Sequence, residues 1–281
     1  MRVLTTVAEM AALEHASRRG AVFTMGALHA GHVELMRQCR KLIGPDGMLI
    51  VTVFVNPTQF GDPKDLENYP RTLEADSALC EAAGVDVLFA PTVQEMYPPG
   101  VPLPQFSAGW LGSVLEGRSR PGHFDAVASV VHRLLSITQA DVTCFGEKDY
   151  QQLVVVRQMV HEAGLNVEVV GVPTVRDDDG LALSSRNIRL SAAARSAAVV
   201  IPRALMAVAE SAAATGNADE ACAAGNAILA RQPLLRIDYL VITDVELGPA
   251  PATGAARALV AATLDGVRLI DNVPVTIGAR L

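Results

Sequence analysis

Cysteine is scarce. Cys39, Cys80, Cys144 and Cys222 are the only four in 281 residues. None forms a Cys-x-x-Cys pair, which argues against a zinc knuckle or a dithiol redox motif, and each reads as a small buried apolar side chain. Positive charge is in deficit: 23 Lys and Arg stand against 30 Asp and Glu, a net charge of −7. Nothing in that balance supports a nucleic-acid or anionic-membrane partner. Long hydrophobic runs are missing as well. The longest largely apolar run, Met48 to Val55, falls far short of the ~20 residues of a membrane helix. Arg2 is followed by Glu9 with no apolar h-region after it, so no secretory signal is expected. No Gly-x-Gly-x-x-Gly follows the first strand pattern, which removes a dinucleotide-dependent dehydrogenase. A cytoplasmic protein is the expectation.

Half of the sequence is hydrophobic and 19% is charged, enough to bury a core and too apolar for a disordered chain. The first two-thirds alternate strand and helix patterns. Strands are expected at Ala21 to Met25, Leu49 to Val55, Val85 to Ala90, Val142 to Phe145 and Val167 to Val172. Helices are expected at Gly31 to Leu42, Thr72 to Ala83, Phe124 to Ile137 and Tyr150 to Ala163. This alternation predicts an α/β fold, a doubly wound parallel sheet of Rossmann-like type. Ligands of such sheets bind at the carboxyl ends of the strands. After about Pro173 the pattern changes. An Ala-rich helical stretch, Ser191 to Ala230, is broken at Pro202, Gly216 and Gly225, and short strands follow at Ile237 to Thr243, Arg257 to Leu264 and Val267 to Asp271. Two domains are expected, residues 1–174 and a smaller α+β domain over 175–281.

Five constellations carry polar chemistry. Thr24-Met25-Gly26-Ala27-Leu28-His29-Ala30-Gly31-His32 lies where a strand hands over to a helix. Its two histidines share one side of the first helical turn, and a helix N-terminus attracts anions. A helix start that happens to hold two histidines is the plain alternative; phosphate binding is favoured. Asn56 and Gln59, in FVNPTQF, are amides able to donate and accept at the next strand end, although Asn-Pro is also ordinary turn chemistry. Gly146-Glu147-Lys148-Asp149, followed by Gln151 and Gln152, puts a cation and two acids where another helix opens. Capping explains Asp149 there but not Lys148. Leu183-Ser184-Ser185-Arg186 offers two hydroxyls and a guanidinium to a polyphosphate, or is simply a solvated loop. Arg118, Arg120 and His123 make an anion site or a plain basic loop.

Taken in order, TMGALHAGH, FVNPTQF, YPRT, SRPGHF, FGEKDYQQL and DGLALSSRN make the chain resemble the pantoate–β-alanine ligase (pantothenate synthetase) family over essentially its whole length. The histidine motif and the Ser-Ser-Arg loop are also similar to those of the wider nucleotidyltransferase superfamily. The resemblance implies ATP-dependent ligation of pantoate and β-alanine through pantoyl adenylate, with Mg2+, in a cytoplasmic homodimer. It implies a nucleotide site at Met25, Gly26, Ala27, Leu28, His29, Ala30, Gly31, His32, Gly146, Glu147, Lys148, Asp149, Val175, Leu183, Ser184, Ser185 and Arg186. His32, His29, Lys148 and Arg186 are the implied catalytic groups. Gln59 and Gln152 are implied to bind pantoate, with Gln59 also near β-alanine and Asn56 supporting them. The 175–281 domain is implied to close on ATP, and Arg120 to lie near the substrates or a dimer interface. No metal ligand is assigned. Phe23 stands where the family usually has proline, Ala30 where it often has an acid, and Leu183 where methionine is also common. Two rival readings remain: a nucleotidylyltransferase that leaves the nucleotide on its product, and a nucleotide-binding module without catalysis.

Overall fold

The computed structural model describes residues 1–14, 18–61 and 63–278. Its contacts divide the chain into two compact units, Met1–Gly146 with Gln151–Pro173, and Glu147–Tyr150 with Thr174–Leu281. A four-residue turn, Glu147–Tyr150, therefore belongs with the second unit although it lies within the sequence of the first.

The first unit is a six-stranded parallel sheet. Its strands are β1 (Arg2–Leu4), β2 (Arg19–Thr24), β3 (Met48–Val53), β4 (Val87–Phe89), β5 (Val142–Gly146) and β6 (Glu168–Val172), in the order β1-β4-β3-β2-β5-β6. The helices are α1 (Val7–Ala11), α2 (Ala30–Ile43), α3 (Pro63–Glu67), α4 (Leu73–Ala82), α5 (Val93–Met96), α6 (Leu115–Ser119), α7 (His123–Thr138) and α8 (Tyr150–Glu162). Each interior strand is apolar because it is covered on both faces. Val22, Leu49, Val51, Leu88 and Val142 pack with Met36, Cys39 and Ile43 of α2 in one core. Succession from β2 to β3 and β4 runs one way across the sheet, and β5 then returns to the other side of β2. That reversal makes the carboxyl ends of β2 and β5 the switch point where such sheets bind ligands. The edge strand β1 carries too few apolar residues to be read from pattern alone. Phe23 lies within β2 and packs edge-on against Phe145, ring centroids 6.2 Å apart.

The second unit contains α9 (Ala192–Ala198), α10 (Val200–Thr215) and α11 (Ala218–Leu229) and an antiparallel sheet, β7 (Arg236–Thr243), β8 (Gly254–Leu264) and β9 (Val267–Ile277), in that order. Ala256, Ala258, Val260 and Ala262 of β8 and Leu269 and Val275 of β9 share a core with Ile201, Leu205 and Val208 of α10. Asp265 and Gly266, both at positive φ, turn β8 into β9, the conformation an Asp-Gly hairpin favours.

Three details differ from the pattern. Pro202 does not break the helix; it sits in the first turn of α10, where a missing N–H costs nothing. Gly225 is interior to α11, and a side chain there would lie 2.5 Å from Val208 Cγ2, so it marks close packing rather than a stop. β9 runs past Asp271 to Ile277, through Pro274, because an edge strand tolerates proline. Ala192–Thr215 is the one helical stretch among the described residues long and apolar enough to cross a membrane, and half of its apolar window is buried inside the fold. Cys39, Cys80 and Cys144 are buried, and Cys222 is half-buried against the second core.

Candidate active site

β2 ends at Thr24, and Gly26 turns the chain at φ +70° toward α2. The loop is pinned on several sides. Thr24 Oγ1 donates to Thr52 O at 2.6 Å and accepts the Gly26 N–H at 3.2 Å. The Tyr69 hydroxyl donates to Gly26 O at 2.7 Å. Buried Asp76 accepts the Leu28 N–H at 2.7 Å and the Thr72 hydroxyl at 3.2 Å. A side chain at Gly26 would come within 2.6 Å of Asp76 Oδ2, so this glycine is demanded by Asp76 as well as by its φ.

His29 is the N-cap of α2. Its Nδ1 accepts the Gly31 N–H at 3.1 Å, and His32 Nδ1 accepts the His29 N–H at 3.2 Å. A nitrogen that accepts carries no proton, so the neutral form of each ring holds its proton on Nε2. The rings lie 4.1 Å apart at 45°. Two Nε2–H donors are thus added to a helix end that already favours anions. A side chain at Gly31 would lie 2.9 Å from the His29 ring, so the short spacing of the motif protects the cap. Ala30, the residue between, is exposed.

At the end of β3, Asn56 is almost fully buried and its amide is committed within the protein. Oδ1 accepts from the Tyr97 hydroxyl at 2.8 Å and the Thr58 hydroxyl at 2.9 Å, while Nδ2 donates to Gln59 Oε1 at 3.0 Å. Burial raises the Tyr97 phenol above its usual value, against the opposing hydrogen bonds of Thr58 and Asn56, so its hydroxyl stays a donor. Gln59 Nε2 points at Met25 Sδ, 3.2 Å away. The Gln59 carbonyl faces His123 Nδ1 at 3.0 Å, and Arg120 Nη1 lies 2.9 Å from His123 Nε2. Arginine only donates, so His123 accepts at Nε2 and donates from Nδ1 to Gln59. Arg120 therefore supports the Gln59 backbone carbonyl through His123 and directly, its Nη2 donating to that oxygen at 3.4 Å. Gln151 is consumed structurally: its Nε2 donates to Leu111 O at 2.7 Å and Val114 O at 3.0 Å, and its Oε1 accepts the Glu116 N–H. Gln152 is half-buried on α8.

In the second unit, Glu147 Oε2 accepts from Arg257 Nη2 at 2.9 Å, and the Arg257 guanidinium lies 4.1 Å over the Tyr150 ring. Lys148 Nζ is 3.4 Å from Asp149 Oδ1. Gly146, the last residue of β5, precedes this turn. Val175 O accepts the Leu183 N–H at 3.0 Å, and Arg176 bridges Ala182, so residues 175–183 form a short hairpin. Ser184 Oγ accepts the Arg186 N–H at 3.2 Å and starts the turn that carries Ser185 and Arg186, both half-buried. Thr174 Oγ1 is buried without a hydrogen-bond partner among the described residues. Among those residues no cluster of three or more His, Cys, Asp or Glu is placed to hold a metal.

The structure joins His29 with His32, Met25 and Asn56 with Gln59, and Val175 with Leu183. Sequence reading missed Asp76, Tyr97, Arg257 and Asn272. Arg257 had a visible signal, a guanidinium in the largely apolar β8, whereas Asn272 lay just past the expected strand end.

Fold and site define a doubly wound α/β protein with polar side chains gathered at the carboxyl ends of its strands. A family model described as pantoate-beta-alanine ligase matches residues 2–274. A pantothenate synthetase of Nocardioides sp. is 49% identical over 268 residues, 93% of this chain and 80% of that protein. The crystal structure of pantothenate synthetase from Thermus thermophilus matches with a TM-score of 0.90 at 49% identity, covering 97% of this chain and 99% of that one. The pantoate-beta-alanine ligase of Francisella tularensis, solved with beta-gamma ATP and beta-alanine, matches with a TM-score of 0.78 at 32% identity over 97% of both chains. The chain belongs to the pantoate–β-alanine ligase family and is an enzyme of it.

Proposed function

We propose that this enzyme joins pantoate to β-alanine at the expense of ATP, through a pantoyl adenylate. A carboxylate oxygen of pantoate attacks the α-phosphorus of ATP; the bond from that phosphorus to the β-phosphate oxygen breaks and pyrophosphate leaves. The β-alanine amine then attacks the acyl carbon, the bond to AMP breaks, and the ammonium formed loses its proton. Neither step asks for a protein nucleophile. Both ask for placement and for donors aimed at developing negative charge.

The observation that carries the reading is the paired cap of α2, with both Nδ1 atoms turned to backbone and both protons left on Nε2. In the proposed site His29 and His32 donate to the phosphates, His32 to charge that develops during transfer. Met25 to Leu28, Ala30 and Gly31 supply backbone, Lys148, Ser184, Ser185 and Arg186 bind phosphate oxygens, and Gly146, Glu147, Asp149, Val175 and Leu183 line the nucleotide. The buried Thr174 hydroxyl without a partner supports a ligand beside Val175. Gln59 and Gln152 bind pantoate, Gln59 lies near β-alanine, and Asn56 holds Gln59 in place. The proposed phosphate donors are imidazole, ammonium, guanidinium and hydroxyl groups, which fits Mg2+ held by phosphate oxygens and water rather than by a protein cage. When bound, the ion neutralises charge on the triphosphate. A cytoplasmic homodimer completes the proposal, and sedimentation of the purified enzyme checks the dimer.

The test is ATP–pyrophosphate isotope exchange with pantoate and Mg2+, without β-alanine. Pantoate-dependent exchange is expected. No exchange, and no AMP after β-alanine is added, overturns the reading in favour of a nucleotide-binding module. A nucleotidylated product in place of free AMP favours the nucleotidylyltransferase.

A further inference from the structure

Two consecutive residues of β9 hold two separate segments of the proposed nucleotide site. Successive residues of a strand point to opposite faces. Leu269 and Val275 share the core with α10, so Asp271 is on the helix-covered face and Asn272 on the other. Asp271, 3% exposed, accepts from Arg176 Nη1 at 2.6 Å and Nη2 at 2.9 Å. This two-pronged pair fixes the base of the 175–183 hairpin that leads into Ser184, Ser185 and Arg186.

Asn272 is equally buried. Its Nδ2 donates to Glu147 O at 2.8 Å and to Lys148 O at 2.9 Å, and its Oδ1 accepts from Arg257 Nε at 2.6 Å. All three bonds require one orientation of the amide; turned over, it would set oxygen against two carbonyls and NH2 against an N–H. The same Arg257 reaches Glu147 Oε2 with Nη2. Both ends of the Glu147–Lys148 peptide pair are therefore anchored to the sheet of the second unit, and Lys148 is placed by residues more than a hundred positions away in sequence.

We propose that Asn272, oriented by Arg257, is a positioning residue that sets the Lys148 ammonium for the phosphates of ATP. The proposal rests on the reading of Lys148 as a phosphate contact. An aspartate at 272 is isosteric, keeps the acceptor for Arg257 and replaces the two-carbonyl donor with an oxygen. Misplacement of a binding group by about 1 Å is enough to lose on the order of a hundredfold in rate.

The experiment compares Asn272→Asp, Lys148→Ala and the double variant, with KM for ATP, KM for pantoate, kcat and calorimetric ATP affinity for each. Arg257→Lys, which keeps a charge opposite Glu147 but loses the Nε–H bond, serves as a second variant should Asn272→Asp fold poorly. Expected are a roughly tenfold or greater loss in ATP affinity or kcat for Asn272→Asp and Arg257→Lys, an unchanged KM for pantoate, and little further loss in the double variant beyond Lys148→Ala. A normal ATP dependence in Asn272→Asp and Arg257→Lys, or losses that add fully to those of Lys148→Ala, overturns the positioning role alone. A Lys148→Ala enzyme with wild-type ATP dependence overturns the reading of Lys148 and the proposal with it.

Discussion

His29 and His32 close a capping box with their own imidazoles: His29 Nδ1 accepts the Gly31 N–H and His32 Nδ1 accepts the His29 N–H. Capping boxes ordinarily use a hydroxyl and a carboxylate or amide. Imidazoles do the same work at Nδ1 and carry a second ring nitrogen besides. In the proposed site structure and chemistry use different atoms of the same two rings, and substitution can separate them.

His32→Ala is expected to lower turnover by ~10²–10⁴, the range for a lost acid–base or charge-stabilising group. His32→Gln is expected to lose as much while keeping a melting temperature near that of the wild type, because glutamine is a normal partner at that box position. His29→Asn tests the cap residue in the same way, since asparagine caps well. Thermal melts and steady-state kinetics on the three variants decide the matter. Wild-type turnover in His32→Gln would confine the residue to capping.

Gly31→Ala is expected to lack the stability gain of ordinary helix behaviour and to lose activity. Alanine inside a helix normally gains up to ~1 kcal/mol over glycine. Here its methyl would sit 2.9 Å from His29 Cε1 and 3.0 Å from Nδ1. The ring is expected to swing out, cancelling the gain with a lost cap of about 1 kcal/mol and lowering kcat/KM at least tenfold through His29. A melting temperature raised with full activity would show that His29 is not needed where it stands.

Gln59 and Asn56 are expected to fail differently. Gln59→Ala removes a side chain proposed to meet pantoate, so KM for pantoate should rise about tenfold or more with stability little changed. Asn56→Ala removes a buried hub that accepts from the Tyr97 hydroxyl at 2.8 Å and the Thr58 hydroxyl at 2.9 Å and donates to Gln59, leaving Tyr97 only Thr58 and freeing Gln59. It should cost on the order of 2 kcal/mol in urea unfolding and raise the same KM. An unchanged pantoate dependence in Gln59→Ala refutes the pantoate assignment.

The central strands were legible because burial on both faces writes an apolar run, and the histidine loop because Gly26 and Gly31 punctuate it. Asp76 was not legible: it is a single carboxylate in a helix of ordinary composition, and only folding brings it under the Leu28 N–H. The last strand was expected to end at Asp271, and β9 continues through Pro274 because it is an edge. Arg257 and Asn272 were not singled out, and the partner they hold, the Glu147–Lys148 turn, is separated from them by more than a hundred residues. Local pattern leaves the contacts of such residues to the fold.

Alkaline conditions should weaken the fold through Cys80. Its thiol, one helical turn from Asp76, is pushed up to about 11, first by burial and then by the Asp76 charge. An unfolded thiol ionises near ~8.5. Below that pH both states keep the proton and Cys80 has no effect. Between ~8.5 and about 11 the unfolded chain releases its proton while the folded chain holds on, so stability falls by about 1.4 kcal/mol per pH unit. Above that window the loss stops growing. Cys144 and Cys222 are raised as well, so the comparison must be with Cys80→Ala, which removes one thiol and leaves the others. Urea midpoints at pH 8 and pH 10.5 are expected to show the wild type losing ground to the variant by on the order of 2 kcal/mol. Parallel curves would mean that Cys80 ionises alike in both states, and that its burial against Asp76 does not persist in solution.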